Sequence, residues 1–395
     1  MSLQIVHCSD LHLDSTFDSM NMDDVALQNR KRDLDDNFTR IVEYVRKNKP
    51  DVFLISGDIF DHPTPSNESL VFFTRKVREL HEAGINVFLI GGDHDIPKFA
   101  SNTGSTIDIF KSTSIGTVFG STRSLHKKRL LVNGKSLCIS GKSSFSTYTT
   151  NHHDQPLSNV ALDGDYNILM LHGRLLFNDS EAATGAVSPD NHELFSAAEL
   201  PQGLNYVALG ENHSHFERDH DGIRICNAGS PERMAWSEID EPKGFVWVEL
   251  NGSETRTEFI KLPTRKMKRD ALDVSLLNGS KEIEDRIGVY LSEHYDRQMI
   301  FRLDIGGKIP LDQHSNLKLG EIYAKYRKRF FHLQLDTDEL TKSVGNELTH
   351  IDPTTAFTKR IDDMAAMPSL TEEEKLSLRN LKDRGIKYLK EVRQY

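Results

Sequence analysis

Five apolar runs in this chain hand over within a few residues to side chains that bind metals. "LQIVHC" is followed by Asp10 and His12, and "DVFLIS" by Asp58. "NVFLIG" leads to Asp93 and His94, "YNILML" to His172, and "NYVALG" to Glu211 and His213. One such residue after a strand is ordinarily a cap or turn former. Five strand ends in succession point to a shared site, because the crevice beyond the carboxyl ends of the strands is where open α/β sheets bind ligands. Carboxylates and imidazoles without cysteine suit manganese, iron, zinc or magnesium. A donor set of this size exceeds the shell of one ion. It suits two ions about 3.5–4 Å apart that share a bridging carboxylate, an arrangement typical of phosphoester cleavage. Such a pair acidifies a water, aligns it with phosphorus and neutralises charge on the attacking and leaving oxygens.

The elements that must position these residues follow from patterning. Short runs rich in Val, Ile, Leu and Phe, including "SLCIS" and "GFVWVEL", alternate with amphipathic stretches up to about residue 262. "DDNFTRIVEYVRKN" sets Phe38, Ile41, Val42 and Val45 on one helical face, and "ESLVFFTRKVRELHEAG" behaves likewise. Fully apolar strands separated by helices predict an α/β fold with layered sheets buried between helices. Residues 1–262 are expected to form this domain, and "TRKMKRD" a basic linker. A small α+β capping domain then spans 263–350, with strands "MIFRLDI" and "RFFHLQL", and 351–395 is a helical segment.

Length, at 395 residues, allows two or three domains, and 37% hydrophobic with 27% charged residues describes a soluble globular protein. No run approaches the roughly 18 apolar residues of a membrane span. "MSLQIVHCSDLH" enters a strand without a leader pattern, so the cytoplasm is the expected location, with nucleoid association in a prokaryote. Cys8, Cys138 and Cys226 sit far apart in apolar runs and read as buried thiols. A net charge of −10 argues against coating nucleic acid by bulk electrostatics, yet leaves room for local basic patches.

The segments "DLH", "GDIFD", "GGDHD", "LHG" and "GENH" occur in the order found in calcineurin-like metallophosphoesterases. Within them the chain resembles the SbcD-type (Mre-type) nuclease subunit of double-strand-break repair complexes. "KPDVFLISGDIFDHPTPSNESL" and "AGSPERMAWSEIDEPKGFVWVEL" support that narrower resemblance, which is good over 1–262 and only in layout beyond. The resemblance implies that Asp10, His12 and His213 hold one ion, that Asp93, His172 and Glu211 hold the other, and that Asp58 bridges them. It implies that His94 assists at the scissile phosphate or leaving oxygen, with Asp61 or Asp95 orienting it. It further implies manganese, with magnesium or iron as alternatives, and 3′-to-5′ exonuclease and single-strand endonuclease activity on DNA. The expected partners are DNA, a second copy of the chain, and an SMC-like ATPase (SbcC-type) gripped by the C-terminal helices.

Two positions depart from the family pattern. Asp93 stands where the family has asparagine, and Glu211 where it has histidine. A second register, pairing His213 with His215, needs a two-residue insertion, so the ungapped register is preferred. Both departures then fall on the same ion and replace neutral donors by carboxylates, which hardens that site towards manganese or magnesium. His62 is open between approaching a phosphate and an ordinary loop role. His152, His153 and otherwise His215 read as solvent-facing. Candidate phosphate contacts are Lys266, Lys268 and Arg269, and Lys325, Arg327, Lys328 and Arg329. In the C-terminal segment, Phe357, Ile361 and Met364 share one helical face. A capping box at Thr371 and Glu374 opens a second helix with Leu378, Leu381, Leu389 and Val392 on a stripe. The competing functions are a metallophosphatase on other phosphoesters and a DNA-end-binding scaffold with a weakened second ion site.

Overall fold

The computed structural model describes residues 2–97, 105–120, 125–144, 157–177, 193–343, 353–365 and 371–392. His152 and His153 lie outside them. The chain divides into two compact units. The first is Met1–Asp270 with Tyr295–Arg302 and Tyr326–Gln334, and the second is Ala271–His294, Leu303–Lys325 and Leu335–Tyr395. The division thus falls near 270 rather than 262, and the first unit takes in two later segments that the sequence assigns to a separate capping domain.

The first unit begins β1 (Leu3–Cys8), α1 (Asp24–Asn48), β2 (Val52–Ser56), α2 (Asn67–Glu82), β3 (Asn86–Ile90) and β4 (Thr117–Phe119). It continues with β5 (His126–Val132), β6 (Lys135–Gly141), β7 (Tyr166–His172), β8 (Arg174–Leu176), β9 (Leu194–Ser196) and β10 (Tyr206–Gly210). Then come β11 (Phe216–His220), β12 (Ile223–Asn227), β13 (Gly244–Asn251) and β14 (Glu254–Lys261). Two six-stranded sheets result, in the orders β14-β13-β1-β2-β3-β4 and β11-β12-β10-β7-β6-β5. β1 through β4 pair in parallel, as do β6, β7, β10 and β12. The outer strands are antiparallel.

Strand alternation explains the layering. Leu3, Ile5, Val52, Leu54, Phe88 and Ile90 point into a core shared with Ile139, Ile168, Met170, Tyr206 and Ala208 of the other sheet. Their neighbours Val6, Cys8, Phe53, Ile55, Val87 and Leu89 face the opposite way, onto Leu34, Phe38, Ile41 and Val45 of α1 and Phe73 and Val77 of α2. Helix α1 opens where Asp23 accepts from the Ala26 N–H at 2.9 Å, and it ends at Lys49, left-handed before Pro50. Its buried face runs back through Arg30 to Ala26, a full three turns before the apolar stripe visible in the sequence.

"TRKMKRD" is not a linker in the fold: Met267–Asp273 is strand β15, with Met267 buried and Lys266 and Arg269 exposed. The later strands are β16 (Asp296–Pro310), β17 (Phe330–Asp336) and β18 (Leu340–Ser343). In the second unit, the helix Ser280–Glu293 buries Ile283, Ile287 and Leu291, and β18 runs parallel to the end of β16. Helices Pro353–Ala365 and Glu372–Val392 lie against each other. The Phe357 ring fills the space at Gly385, and Lys382 pairs with Asp362 at 2.6 Å. Ile361 is buried, whereas Met364 and Leu381 are exposed. The side chains of Glu374, Leu389 and Val392 lie outside the described residues. Among the described residues no helix is long and apolar enough to cross a membrane. All three cysteines are buried and none is in a disulfide.

Candidate metal centre

The five strand ends meet at one edge of the two sheets, and the backbone there is bent. Asp10 (φ 52°), His12 (φ 43°), Asp58 (φ 47°) and Glu211 (φ 113°) all have positive φ, in the left-handed region or beyond it. Each costs on the order of 1–3 kcal/mol and persists only where surrounding structure enforces it. The enforcement is visible. Past the end of β1, the Asp10 N–H donates to the Gly57 carbonyl at 3.1 Å and the His12 N–H to the Asp58 carbonyl at 3.0 Å. The Glu211 N–H donates to Asp10 Oδ1 at 3.0 Å. Close approach also needs glycine: a Cβ at Gly92 would lie 2.0 Å from Asp58 Oδ1, and one at Gly57 2.1 Å from His172 Nδ1.

The side chains form two groups around Asp58. Asp10, His12 and His213 offer donor atoms within 4.8 Å of one another, and the His12 and His213 Nε2 atoms face each other at 3.0 Å. On the other side His172 Nε2 stands 3.3 Å from Glu211 Oε2, 3.6 Å from Asp93 Oδ1 and 3.5 Å from Asp58 Oδ2. His12 Nε2 is also 3.5 Å from Asp58 Oδ2, which lies between the two groups. Three of these buried atoms, Asp10 Oδ2, Asp93 Oδ1 and His172 Nε2, have no hydrogen-bond partner among the described residues. Buried polar atoms are ordinarily satisfied. Two orphaned oxygens and a ring nitrogen among these donors are what a pair of divalent cations would satisfy, so the donor set fits such ions.

Charge balance says the same. Burial opposes ionisation of Asp58, but the nearby charge of His172, with those of His12 and His94, outweighs it and holds the carboxyl well below its usual range. Burial also works against protonating His12, yet the Asp61 hydrogen bond and the charges of Asp58, Asp61 and Asp10 raise it to about 9. His172 is raised as well, burial being outweighed chiefly by Asp58. Asp10 is raised by burial, with nearby imidazoles pulling it back. The pocket demands positive charge, which protons on imidazoles or bound cations supply.

Residues 3–216 match the family model described as calcineurin-like phosphoesterase, more than half of the chain. The chain belongs to the calcineurin-like phosphoesterases. It is similar to the DNA double-strand break repair protein Mre11 of Sulfurisphaera tokodaii, 27% identical over 77% of this chain and 74% of that protein. The Sulfolobus acidocaldarius protein of the same name is 25% identical over 78% of this chain and 76% of its own length. That of Methanopyrus kandleri is 25% identical over 72% and 62%.

In this phosphoesterase, every imidazole of the cluster is oriented from behind. His12 Nδ1 meets Asp61 Oδ1 at 3.0 Å, and His172 Nδ1 donates to the Ser56 carbonyl at 2.8 Å. His213 Nδ1 meets Glu238 Oε1 at 2.8 Å. Glu238 is held ionised, at about 2, because burial is overcome by His213 and Lys243. His94, half-exposed at the mouth, donates from Nδ1 to the Asp61 carbonyl at 2.9 Å, which leaves Nε2 as its reactive nitrogen. Asp95 does not orient it. Its carboxylate accepts from the N–H groups of Ile59, Phe60 and Gly92, tying the loop after β2 to the loop after β3. Burial, then the charge of Asp58, pushes Asp95 up to about 7. His62 is half-exposed beside Asp61, at 3.4 Å. His215 is engaged elsewhere: it stacks on Phe259, bonds the Asn227 carbonyl at 2.9 Å and pairs with Glu217 at 3.2 Å.

Glu238 is one residue that sequence reasoning missed. It sits in "WSEIDEP", an acid-rich loop that reads as surface, and only its tertiary burial marks it. Of the basic candidates, Arg327, Lys328 and Arg329 form an exposed turn of the first unit. Lys266 pairs with Asp296, and Lys268 with Asp270.

Proposed function

We propose that this phosphoesterase is a metal-dependent DNA nuclease that processes double-strand breaks, cleaving duplex ends from the 3′ side and single strands internally. The observation that carries the chemistry is the convergence of seven carboxylate and imidazole donors with orphaned buried atoms at one sheet edge. The relatives' common description as double-strand break repair proteins supports the DNA substrate.

In this reading Asp10, His12 and His213 hold one divalent cation, Asp93, His172 and Glu211 hold the second, and Asp58 is shared. When bound, two such ions supply Lewis acidity and a water acidic enough to attack phosphorus at neutral pH. The chain's own residues do the rest. Asp61, Ser56 and Glu238 fix the three ligand imidazoles so that each presents Nε2 to the site. His94, with its Nδ1–H donated to the Asp61 carbonyl, turns Nε2 to the mouth of the site, where it would exchange a proton with the leaving oxygen. Glu211 and Asp93 give the second site two carboxylates, which favours manganese, with magnesium or iron as alternatives.

Measured metal content and nuclease rate with manganese test this directly. About two ions per chain and manganese-dependent cleavage of duplex DNA are expected. Less than one ion with no cleavage would sink the reading, and faster turnover of nitrophenyl phosphate than of DNA would favour a general phosphatase. The helices Pro353–Ala365 and Glu372–Val392 are proposed to grip an SMC-like ATPase. Exposed Leu376, Leu381 and Tyr388 support a docking role. Loss of that complex on truncation after residue 352 is the expected result. A two-fold dimer is proposed with it.

A further inference from the structure

Lys243, at the foot of β13, is fully buried, and its ammonium is surrounded by acceptors. Nζ lies 2.6 Å from Glu238 Oε2, 3.1 Å from Glu241 Oε2, 2.9 Å from the His213 carbonyl and 3.1 Å from Ser230 Oγ. It therefore grips His213 twice, through the backbone carbonyl and through the carboxylate that bonds the ring. Glu238 completes the frame: Oε1 takes His213 Nδ1, and Oε2 takes the Met234 N–H at 3.0 Å as well as Lys243.

The three ligand imidazoles are backed unequally. His172 leans on a neutral carbonyl, and His12 on Asp61, which keeps the company of His62 and His94 at 3.4 and 4.0 Å. Among the described residues Glu238 alone of these acceptors bonds a lysine. A carboxylate behind an imidazole sharpens its orientation and strengthens it as a donor. Left without a counter-charge, a buried carboxylate reorients towards whatever donor is nearest, and the ring loses its anchor.

We propose that Lys243 is a positioning residue for His213: by pinning Glu238 and the His213 carbonyl together it holds the ring as the Nδ1–H tautomer with Nε2 free for a cation. The inference rests on the reading of Asp10, His12 and His213 as ligands of one ion. It makes occupancy of that ion depend on an ammonium that never touches it.

Manganese titration calorimetry on the full-length chain, with ¹⁵N chemical shifts of the His213 ring in metal-free protein, tests the proposal. Lys243→Met and Glu238→Gln are each expected to weaken one of two manganese sites about 10–100-fold, with the other site retained. The metal-free ring of Lys243→Met is expected to show mixed tautomers. Because Lys243 acts through Glu238, the double variant is expected to lose less affinity than the two single losses added, with a ring that resembles that of Glu238→Gln. Simple addition of the two losses, or wild-type affinity and tautomer in both folded single variants, would overturn it. Should Lys243→Met fail to fold, an unchanged ring and affinity in Glu238→Gln overturn it alone. Should the wild-type chain bind no manganese, the nuclease reading falls, and the tautomer arm still decides the role of Lys243.

Discussion

Asp93 and His94 are adjacent in the chain and do different things. Asp93 adds a charge to a site that His172 and Glu211 already line, with Oδ1 buried and 3.6 Å from His172 Nε2. Replacing it by asparagine keeps an oxygen donor and removes the charge. Asp93→Asn is therefore expected to weaken one manganese site in calorimetry and to leave the other nearly unchanged; equal weakening of both would mean Asp93 serves the whole pocket. His94 stands at the rim, its ring edge-on to His12 at 4.9 Å. His94→Gln should lower the cleavage rate about 10²–10⁴-fold while manganese stoichiometry holds. Loss of metal in that variant would make His94 a ligand instead. These residues were legible in the sequence because each lies within four positions of an apolar strand end. Glu238 and Lys243 were not: a buried acid and a buried lysine look like surface residues until the chain folds around them.

Helices α1 and α2 back the sheet that carries Asp10, Asp58 and Asp93, and acidic side chains gather around Asp35 between them, opposed by Arg75. Asp35 on α1 lies near Glu68 on α2, with Asp36 and Asp14 close by. Burial, then these like charges, pushes its carboxyl up to about 6 against an ordinary 3.8. A raised acid makes the folded state bind its proton more tightly than the unfolded chain does. The resulting stability is fully present below about pH 4 and is lost as pH rises through about 6. Because Asp35 is partly exposed, screening reduces the effect to about 1 kcal/mol. Asp35→Asn should thus stabilise the fold by that amount at pH 7.5 and by nothing at pH 4, as urea denaturation at the two pH values would show. Equal effects at both would mean the helix, not the charge, responds. The apolar stripe of α1 from Phe38 to Val45 was readable, since it repeats at helical spacing. Its first half was not, because the buried face there carries Arg30, which pairs with Glu232 at 3.4 Å and lies 4.6 Å from the Phe17 ring. Central strands were readable as continuous apolar runs; β11 and β14, polar at most positions, were not.

All seven proposed ligands, and the Asp61, Ser56 and Glu238 groups that orient their rings, belong to the first compact unit. The second unit, with the helix Ser280–Glu293 and the C-terminal helices, contributes none of them. Ligand binding stabilises only the state that binds, by RT ln(1 + [L]/Kd), about 2.7 kcal/mol per site at a hundredfold excess over Kd. The metal-free first unit also carries the cost of carboxylates crowded around Asp58, and an ion relieves that repulsion. Manganese should therefore raise the melting temperature of the first unit and leave the second where it is. In scanning calorimetry of the whole chain, two transitions are expected in the presence of chelator. Added manganese should move one of them upward by several degrees, a few degrees per kcal/mol for a unit of this size. A single transition that moves as a whole would mean the two units unfold cooperatively. If neither transition moves with saturating manganese, the donor set does not hold ions in the folded chain, and the nuclease reading loses its foundation.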